Sequence, residues 1–450
     1  MIPVDLNAQS LRGLNARFPQ RYPVLLESAS GDMALGRYDL LLAAPGERLQ
    51  LAADGLSGPP GYGGRTDRFL DALDRWWLRE QTRDRSSDVF AGGWFLYLAY
   101  ELAQEIEPSL ALPAGSLPRA IAWRMHGSVV FDRSTGRAWV AGETDSIEHL
   151  HERLRADVLA LSGASAPSAP QELIQGPIDE EPPGRYLDGV SSALEAIGRG
   201  DVYQANLSRR WTARLAHGVD ATVVYERLRQ ANPAPFAGIA HLPGFSVLSS
   251  SPERLLRIER NVASTRPIAG TRPRGLTAST DETLRTELRL NEKEQAEHVM
   301  LVDLERNDLG RICRAGTVHV DEYMTIESYT HVHHIVSNVR GELRDDVTPG
   351  QAIAAVFPGG TITGCPKIRC IQLLSELERG PREAYTGSMG YLRLDGDLDM
   401  NILIRTMTIA GDTLEFRTGA GIVADSNPEF ELAETRAKAR GLLRALGVQG

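Results

Sequence analysis

Tyr391-Leu-Arg-Leu394, Asp395-Gly396, Ile402-Leu-Ile-Arg-Thr-Met-Thr-Ile409, Gly411-Asp412 and Leu414-Glu-Phe416 follow one another near the C-terminus. Short apolar runs alternate here with Asp-Gly and Gly-Asp pairs, the residues of tight turns, so the stretch reads as antiparallel strands joined by hairpins. Further upstream, Tyr186, Val190, Leu194 and Ile197 recur at helical spacing and the run stops near Gly198 to Gly200. That spacing predicts an amphipathic helix, followed by a short apolar run at Val202 to Leu207. Helices mixed with antiparallel strands predict an α+β fold rather than a doubly wound parallel sheet.

The chain has 450 residues, 42% of them hydrophobic and 24% charged, the balance of a globular protein with a packed core. A net charge of −10 opposes attraction to a phosphate backbone, so a nucleic-acid role is excluded. No apolar run approaches the roughly 20 residues needed to cross a bilayer. Met1-Ile2-Pro3-Val4-Asp5 has no basic segment leading into an apolar one, so a cytoplasmic location is expected. Cys313, Cys365 and Cys370 are too sparse for a disulfide framework and have no zinc-site spacing, so they are expected to be buried thiols. Pro, Ser, Gly and Ala crowd Ser162 to Pro170, and a second proline-bearing stretch runs from Gly176 to Gly184. These divide an N-terminal region, 1–165, from a linker or surface loop, 166–184, and a region 185–450 that holds nearly all the polar constellations.

Glu294 and Glu297 lie in Leu290-Asn-Glu-Lys-Glu-Gln-Ala-Glu-His-Val-Met-Leu-Val302, where a spacing of three puts both carboxylates on one helix face. Glu431 and Glu434 repeat that spacing after Asn427-Pro428, a capping residue and a first-turn proline. Paired carboxylates on two helices make an oxygen-rich site of the kind Mg²⁺ prefers. Solvated surface charge, or ion pairs with Lys293, Arg436 and Lys438, is the plain alternative. Arg405 stands at the centre of an apolar run and needs an anionic partner, either a carboxylate of the chain or a ligand. Gly419-Ala420-Gly421 permits close approach of backbone to an anion. His331, His333 and His334 cannot all point the same way in a strand, so at most one is functional and zinc is disfavoured.

Together these segments resemble the chorismate-utilising enzymes: anthranilate synthase component I, aminodeoxychorismate synthase component I, and the isochorismate and salicylate synthases. The matching blocks are Ser251-Pro-Glu-Arg254, Arg266-Pro-Ile-Ala-Gly-Thr-Arg-Pro-Arg274, Glu292-Lys-Glu-Gln-Ala-Glu-His298, Val302-Asp-Leu-Glu-Arg-Asn-Asp-Leu-Gly310, Phe357-Pro-Gly-Gly-Thr361 and Gly419-Ala-Gly-Ile-Val-Ala-Asp-Ser426. The resemblance covers Gly184 to Leu446 strongly and the N-terminal third more faintly. It implies a large layered antiparallel β-sandwich flanked by helices, and an enzyme that binds chorismate and Mg²⁺. By the same resemblance Glu297 and Glu434 ligand the metal, with Glu294 and Glu431 in support. Arg405 and Tyr385 hold the enolpyruvyl carboxylate with the backbone of Gly419 and Gly421, and Thr361 and Lys438 line the pocket. Glu253 is the general acid for the departing C4 hydroxyl, beside His334 and Thr271. Hydroxide leaves a ring at neutral pH only when protonated, which explains the need for such an acid.

Gln204 stands where the isochorismate and salicylate synthases have a water-activating lysine, and an amide cannot act as that base. The resemblance therefore implies ammonia as nucleophile, supplied by a separate glutamine amidotransferase subunit. Ala269 occupies a position where many aminodeoxychorismate synthases carry a lysine that attacks C2, and Pro-Ile-Ala-Gly-Thr is similar to anthranilate synthase. Asn206, Arg254, His333-His334, Gly359-Gly360, Asn401 and Gly36-Arg-Tyr-Asp-Leu-Leu41 are more similar to the aminodeoxychorismate branch, which is the expected activity. The anthranilate branch is the alternative. Leu25-Leu26-Glu27-Ser28 resembles the segment that binds tryptophan in this family, so tryptophan is a further expected ligand.

Overall fold

The computed structural model describes residues 1–29, 36–64, 67–82, 88–162, 170, 172–329 and 332–448, with the Lys293 side chain left aside. His331 and most of the Ser162 to Pro170 stretch fall outside the described residues. Among those described, 21 strands join in one hydrogen-bonded sheet whose strand pairs are antiparallel, with helices against it. The expected α+β architecture is therefore present. No helix of the described residues is long and apolar enough to cross a membrane.

The C-terminal stretch forms its hairpins. Ser388–Arg393 pairs with Leu398–Asn401, and Thr406–Ala410 with Thr413–Ile422, around turns at Gly396 and Gly411. The run Ile402 to Ile409 is not one strand, however. It breaks before Thr406, and Arg405 takes φ of 52°, because the strands on either side pair with different neighbours. Leu398–Asn401 lies against Arg254–Glu259, and Thr406–Ala410 against Phe245–Ser251. Arg405 thus occupies a kink rather than the middle of a ladder.

Alternation along the strands sorts their side chains into layers. On Gly93–Leu98, Leu96 and Leu98 join a core with Val302, Ile353 and Met400, beneath the Phe69–Glu80, Glu292–Gly310 and Pro349–Val356 helices. Phe95 and Tyr97 face the other way, into a cluster with Val24, Ile121, Val247 and Met389 that is drawn from strands and the loops between them, with no helix residue. That cluster is sheet packed on sheet. A third core holds Trp211 stacked on Phe416 under the Ala221–Ala231 and Pro428–Ala445 helices.

The division at 165 does not separate two sheets. Val24–Glu27 pairs with Phe236–Leu242, and Gly93–Leu98 with Ser388–Arg393, so strands from both regions share one ladder. Within the expected loop, Ile174–Glu180 is a strand, an edge partner of Gln204–Leu215 that tolerates Gly176 and Pro177 through a register shift. The predicted helix runs from Pro183 to Gly198, burying Tyr186 and Val190, and stops before Gly200 at φ of 79°.

Candidate active site

Two long strands, Gln204–Leu215 and Thr413–Ile422, form the floor, with Asn206 opposite Gly421 and Ser208 opposite Gly419. Gln204 and Asn206 share a strand face, and both side-chain amide oxygens are buried without a hydrogen-bond partner among the described residues. A Cβ on Gly421 would stand 2.5 Å from Gln204 Nε2, so glycine is what allows that amide its place. Gly421→Ala is expected to displace Gln204 and lower the kcat/KM of the site about tenfold, a loss of roughly 1.4 kcal/mol, with the fold intact. Steady-state kinetics with circular dichroism would check this.

Thr361 lies in the Gly360–Ile362 turn; its carbonyl accepts from Asn206 Nδ2 at 3.2 Å, and its hydroxyl is buried on the side of Glu253. Tyr385 is buried, and a Cβ on Gly419 would meet its hydroxyl at 2.8 Å. Beneath it, Arg382 donates to both oxygens of Glu378 at 2.6 and 2.8 Å and lies 5.7 Å from the Tyr385 ring centre. Glu378 also accepts from Ser208 at 2.8 Å and pairs with Arg417 at 3.5 Å. This buried network fixes the Tyr385 ring. Sequence reasoning missed it, because nothing in the residues around Glu378 and Arg382 marks a carboxylate and a guanidinium four apart as buried.

Arg405 has no carboxylate partner among the described residues. Burial draws its pKa below the ordinary arginine value, opposed only by the Tyr385 phenol. A guanidinium taken from water and left unpaired is costly, so of its two sequence readings the ligand contact is the one with support. Lys438 adds a second cation, donating to the Gly419 carbonyl at 3.0 Å and pairing with Glu434 at 2.7 Å.

Glu253 follows the Phe245–Ser251 strand and is pinned by its backbone: its amide donates to Ser251 Oγ at 3.2 Å and its carbonyl accepts from Ile402 at 3.0 Å. Its carboxyl is buried, with Oε1 unpartnered. Burial lifts its pKa to about 7, with Thr361, the Ile268 amide and Lys438 acting against the rise. It is a carboxylic acid poised to give up a proton near neutrality.

His334 stands on Val332–Glu342 opposite Thr271 on Ile268–Pro273. Its Nδ1 lies 3.1 Å from the Gly270 carbonyl and 3.1 Å from Thr271 Oγ1. The carbonyl can only accept, which assigns the proton to Nδ1 and leaves Nε2 as an acceptor. Burial holds the pKa down at about 4, so the ring is neutral. His333 points the opposite way, as strand alternation requires, between Asp281 at 2.9 Å and Ser328 at 2.7 Å. Ala269 presents only a methyl group on the same strand as Thr271.

The four glutamates arrive on the predicted helices, Glu292–Gly310 capped by Asn291 and Pro428–Ala445 capped by Asn427. Glu294 leans over the strand bulge at Gly270, where a Cβ would stand 2.9 Å from its Oε2, and pairs with Arg272 at 3.2 Å. Gly270 has φ of 61°, so glycine is required there on both counts. Glu434 pairs with Lys438, whose charge acts on both Glu253 and His334. Glu297 and Glu431 are half-buried one turn from these partners. The first helix thus reaches the bulge whose carbonyl holds His334, and the second bears the lysine whose charge acts on both the acid and the imidazole. Among the described residues no three acidic, histidine or cysteine side chains converge on one point. The four side chains carry hard carboxylate oxygens, the donor type Mg²⁺ prefers, but too few of them meet to close a shell without substrate and water.

Leu26, Glu27 and Ser28 line a separate cavity of about 900 Å³ with Phe236, Arg254 and Met389. The Glu27 carboxylate is already engaged there by Tyr225 at 2.7 Å, Arg229 at 3.1 Å and Arg12 at 3.3 Å. Arg254 and Asn401 also belong to this cavity, Arg254 pairing with Asp399 at 2.9 Å. Cys313 and Cys370 are buried thiols as expected, whereas Cys365 is partly exposed.

Burial also raises the carboxyls of Asp39 and Asp74 to about 6, Glu101 to about 7 and Glu305 to about 8. The unfolded chain releases these protons at lower pH than the folded one, so stability falls as pH rises through these values. His241, His298 and His334, held down at about 4 by burial, act oppositely but only below about pH 6.5. Calorimetry is therefore expected to give a lower Tm at about pH 8.5 than at about pH 6.5; a flat or rising Tm would contradict these environments.

A buried acid, a neutral imidazole and a guanidinium with no carboxylate partner among the described residues suit a pocket for a small anion. The model of the family described as chorismate binding enzyme matches residues 39–444, and the chain belongs to that family. It is 44% identical over 360 residues to an anthranilate synthase component I-like protein of Synechocystis, covering 79% of this chain and 73% of that protein. It is 38% identical over 448 residues to aminodeoxychorismate synthase component 1 of Bacillus subtilis, covering 95% and 92%. The crystal structure of anthranilate synthase component I from Streptococcus pneumoniae superposes with a TM-score of 0.79 at 31% identity, covering 90% of this chain and 92% of that one.

Proposed function

We propose that this chain is a cytoplasmic aminodeoxychorismate synthase component I, converting chorismate and ammonia to 4-amino-4-deoxychorismate on the route to p-aminobenzoate and folate. The observation that carries amination is Gln204: a buried amide, its oxygen unpartnered, set beside Gly421. It has no basicity to activate water, but it can accept a hydrogen bond from an incoming N–H. The ammonia comes from a separate glutamine amidotransferase subunit.

Arg405 and Tyr385 grip the enolpyruvyl carboxylate, and Lys438 and Thr361 close around the ring. Glu253 protonates the C4 hydroxyl as it leaves, while Thr271 and the Gly270 carbonyl hold His334 with Nε2 as an acceptor. Because Ala269 offers no nucleophile, ammonia adds first at C2, giving non-covalent 2-amino-2-deoxyisochorismate; a second ammonia then adds at C4 and expels the C2 amine. Glu297 and Glu434 would hold Mg²⁺, with Glu294 and Glu431 in support, and the ion would neutralise and position the ring carboxylate. Tryptophan occupies the cavity at Leu26 to Ser28.

Anthranilate synthase component I is the second reading, favoured by Ala269 and by the names of the Synechocystis and Streptococcus relatives. Incubation with chorismate, Mg²⁺ and ammonium, with and without an added lyase, distinguishes them by product mass. Fluorescent anthranilate formed without the lyase sinks the first reading. A C2-amino species absent at every time of a quenched single turnover sinks the two-step route.

A further inference from the structure

A second buried carboxyl stands behind Glu253, and the reaction as written does not use it. Glu305 lies on the Glu292–Gly310 helix, on the face that carries Val302 and Leu309 into the core. It is 6% exposed and has no ion pair among the described residues. The helix packs on the Gly360–Ile362 turn, where a Cβ on Gly360 would stand 3.6 Å from Glu305 Oε1. Thr361, next in that turn, faces Glu253, and Thr265 stands beside Glu305. The hydroxyls of both threonines are buried, each against one of the two carboxyls. One helical turn beyond Glu305, Asp308 takes the Lys367 ammonium at 2.6 Å, and the Lys367 side chain is 17% exposed. Buried polar groups therefore stand on both sides of the Gly360–Ile362 turn, Glu253 with Thr361 and Glu305 with Thr265; each carboxyl lies within the other's field, and the second side continues through Asp308 to a lysine that reaches solvent.

We propose that Glu305 is the proton store of Glu253, a positioning residue that returns the proton Glu253 gives to the departing hydroxyl. This rests on Glu253 being the acid of the proposed amination. The O–H bond of Glu253 breaks as the C4 hydroxyl leaves as water. Glu305 then gives its proton to the Glu253 carboxylate and regains one through Asp308 and Lys367. The ammonium formed on the ring releases its extra proton to solvent, so the sum is ammonia plus alcohol to amine plus water. Burial, the Asp308 carboxylate and Glu253 all keep Glu305 protonated near neutrality, against Lys367 and Thr265. Stores of this kind are needed where substrate seals the acid from water.

The test has two arms. Infrared titration of the protonated carboxyl bands in the unliganded full chain should show Glu305 losing its proton at lower pH in Glu253→Gln, by about one unit, since the neighbouring negative charge is gone. An unmoved midpoint overturns the proposal. In Glu305→Gln, the first turnover of chorismate with ammonium and Mg²⁺ should stay within roughly threefold of the unaltered chain while the steady-state rate falls about tenfold. Equal loss in both phases, or none in the second, also overturns it. Should the unaltered chain consume no chorismate, the proposed function fails, and the infrared arm still decides whether the two carboxyls act as a pair.

Discussion

Glu253→Gln is expected to lower kcat with chorismate by about 10²–10⁴-fold, the usual worth of a positioned general acid, while KM changes little. The amide matches the carboxyl in shape, and the backbone bonds to Ser251 and Ile402 remain, so the change removes a proton and little else. The sign of the pH dependence follows from the same burial. The reactive form is the protonated one, and its pKa is raised to about 7, so the rate at fixed free ammonia should fall as pH rises through that value. The variant's residual rate should lack this fall. Chorismate consumption across pH measures both; a variant within tenfold of the parent would remove Glu253 from the chemistry.

Arg405→Gln should separate binding from stability. Losing a buried charged hydrogen-bonding partner costs about 2–5 kcal/mol, so kcat/KM for chorismate should drop by at least about 30-fold. Yet the guanidinium has no protein anion among the described residues and sits at φ of 52°, a strained conformation for a residue with a side chain. Replacing it removes an uncompensated charge, and Tm should hold or rise. Paired kinetics and calorimetry check this; a Tm lowered by many degrees would make Arg405 a structural residue.

Much of the architecture was legible because local patterns speak for it: turn pairs at Asp395-Gly396 and Gly411-Asp412, helical spacing from Tyr186, and capping at Asn427-Pro428. The break before Thr406 was not legible. Ile402 to Ile409 is uniformly apolar apart from Arg405, and what divides it is pairing with strands some 150 residues away. The strand at Ile174–Glu180 was hidden for the related reason that an edge position tolerates a loop-like composition. Within the site, spacing gave the carboxylate pairs, whereas the acid and the imidazole came from the resemblance to the family. The buried support did not show itself, although Glu305 left one trace: it interrupts the apolar face Val302, Leu309 of its own helix.

The bond ladder between Gly93–Leu98 and Ser388–Arg393 bears on how the chain is made. During synthesis the earlier strand emerges hundreds of residues before its neighbour exists, and meanwhile presents unsatisfied amides and carbonyls as a template for wrong partners. Contacts this distant in sequence slow folding. The N-terminal third is accordingly less a module to be cut away than an unfinished edge awaiting the last fifth of the polypeptide.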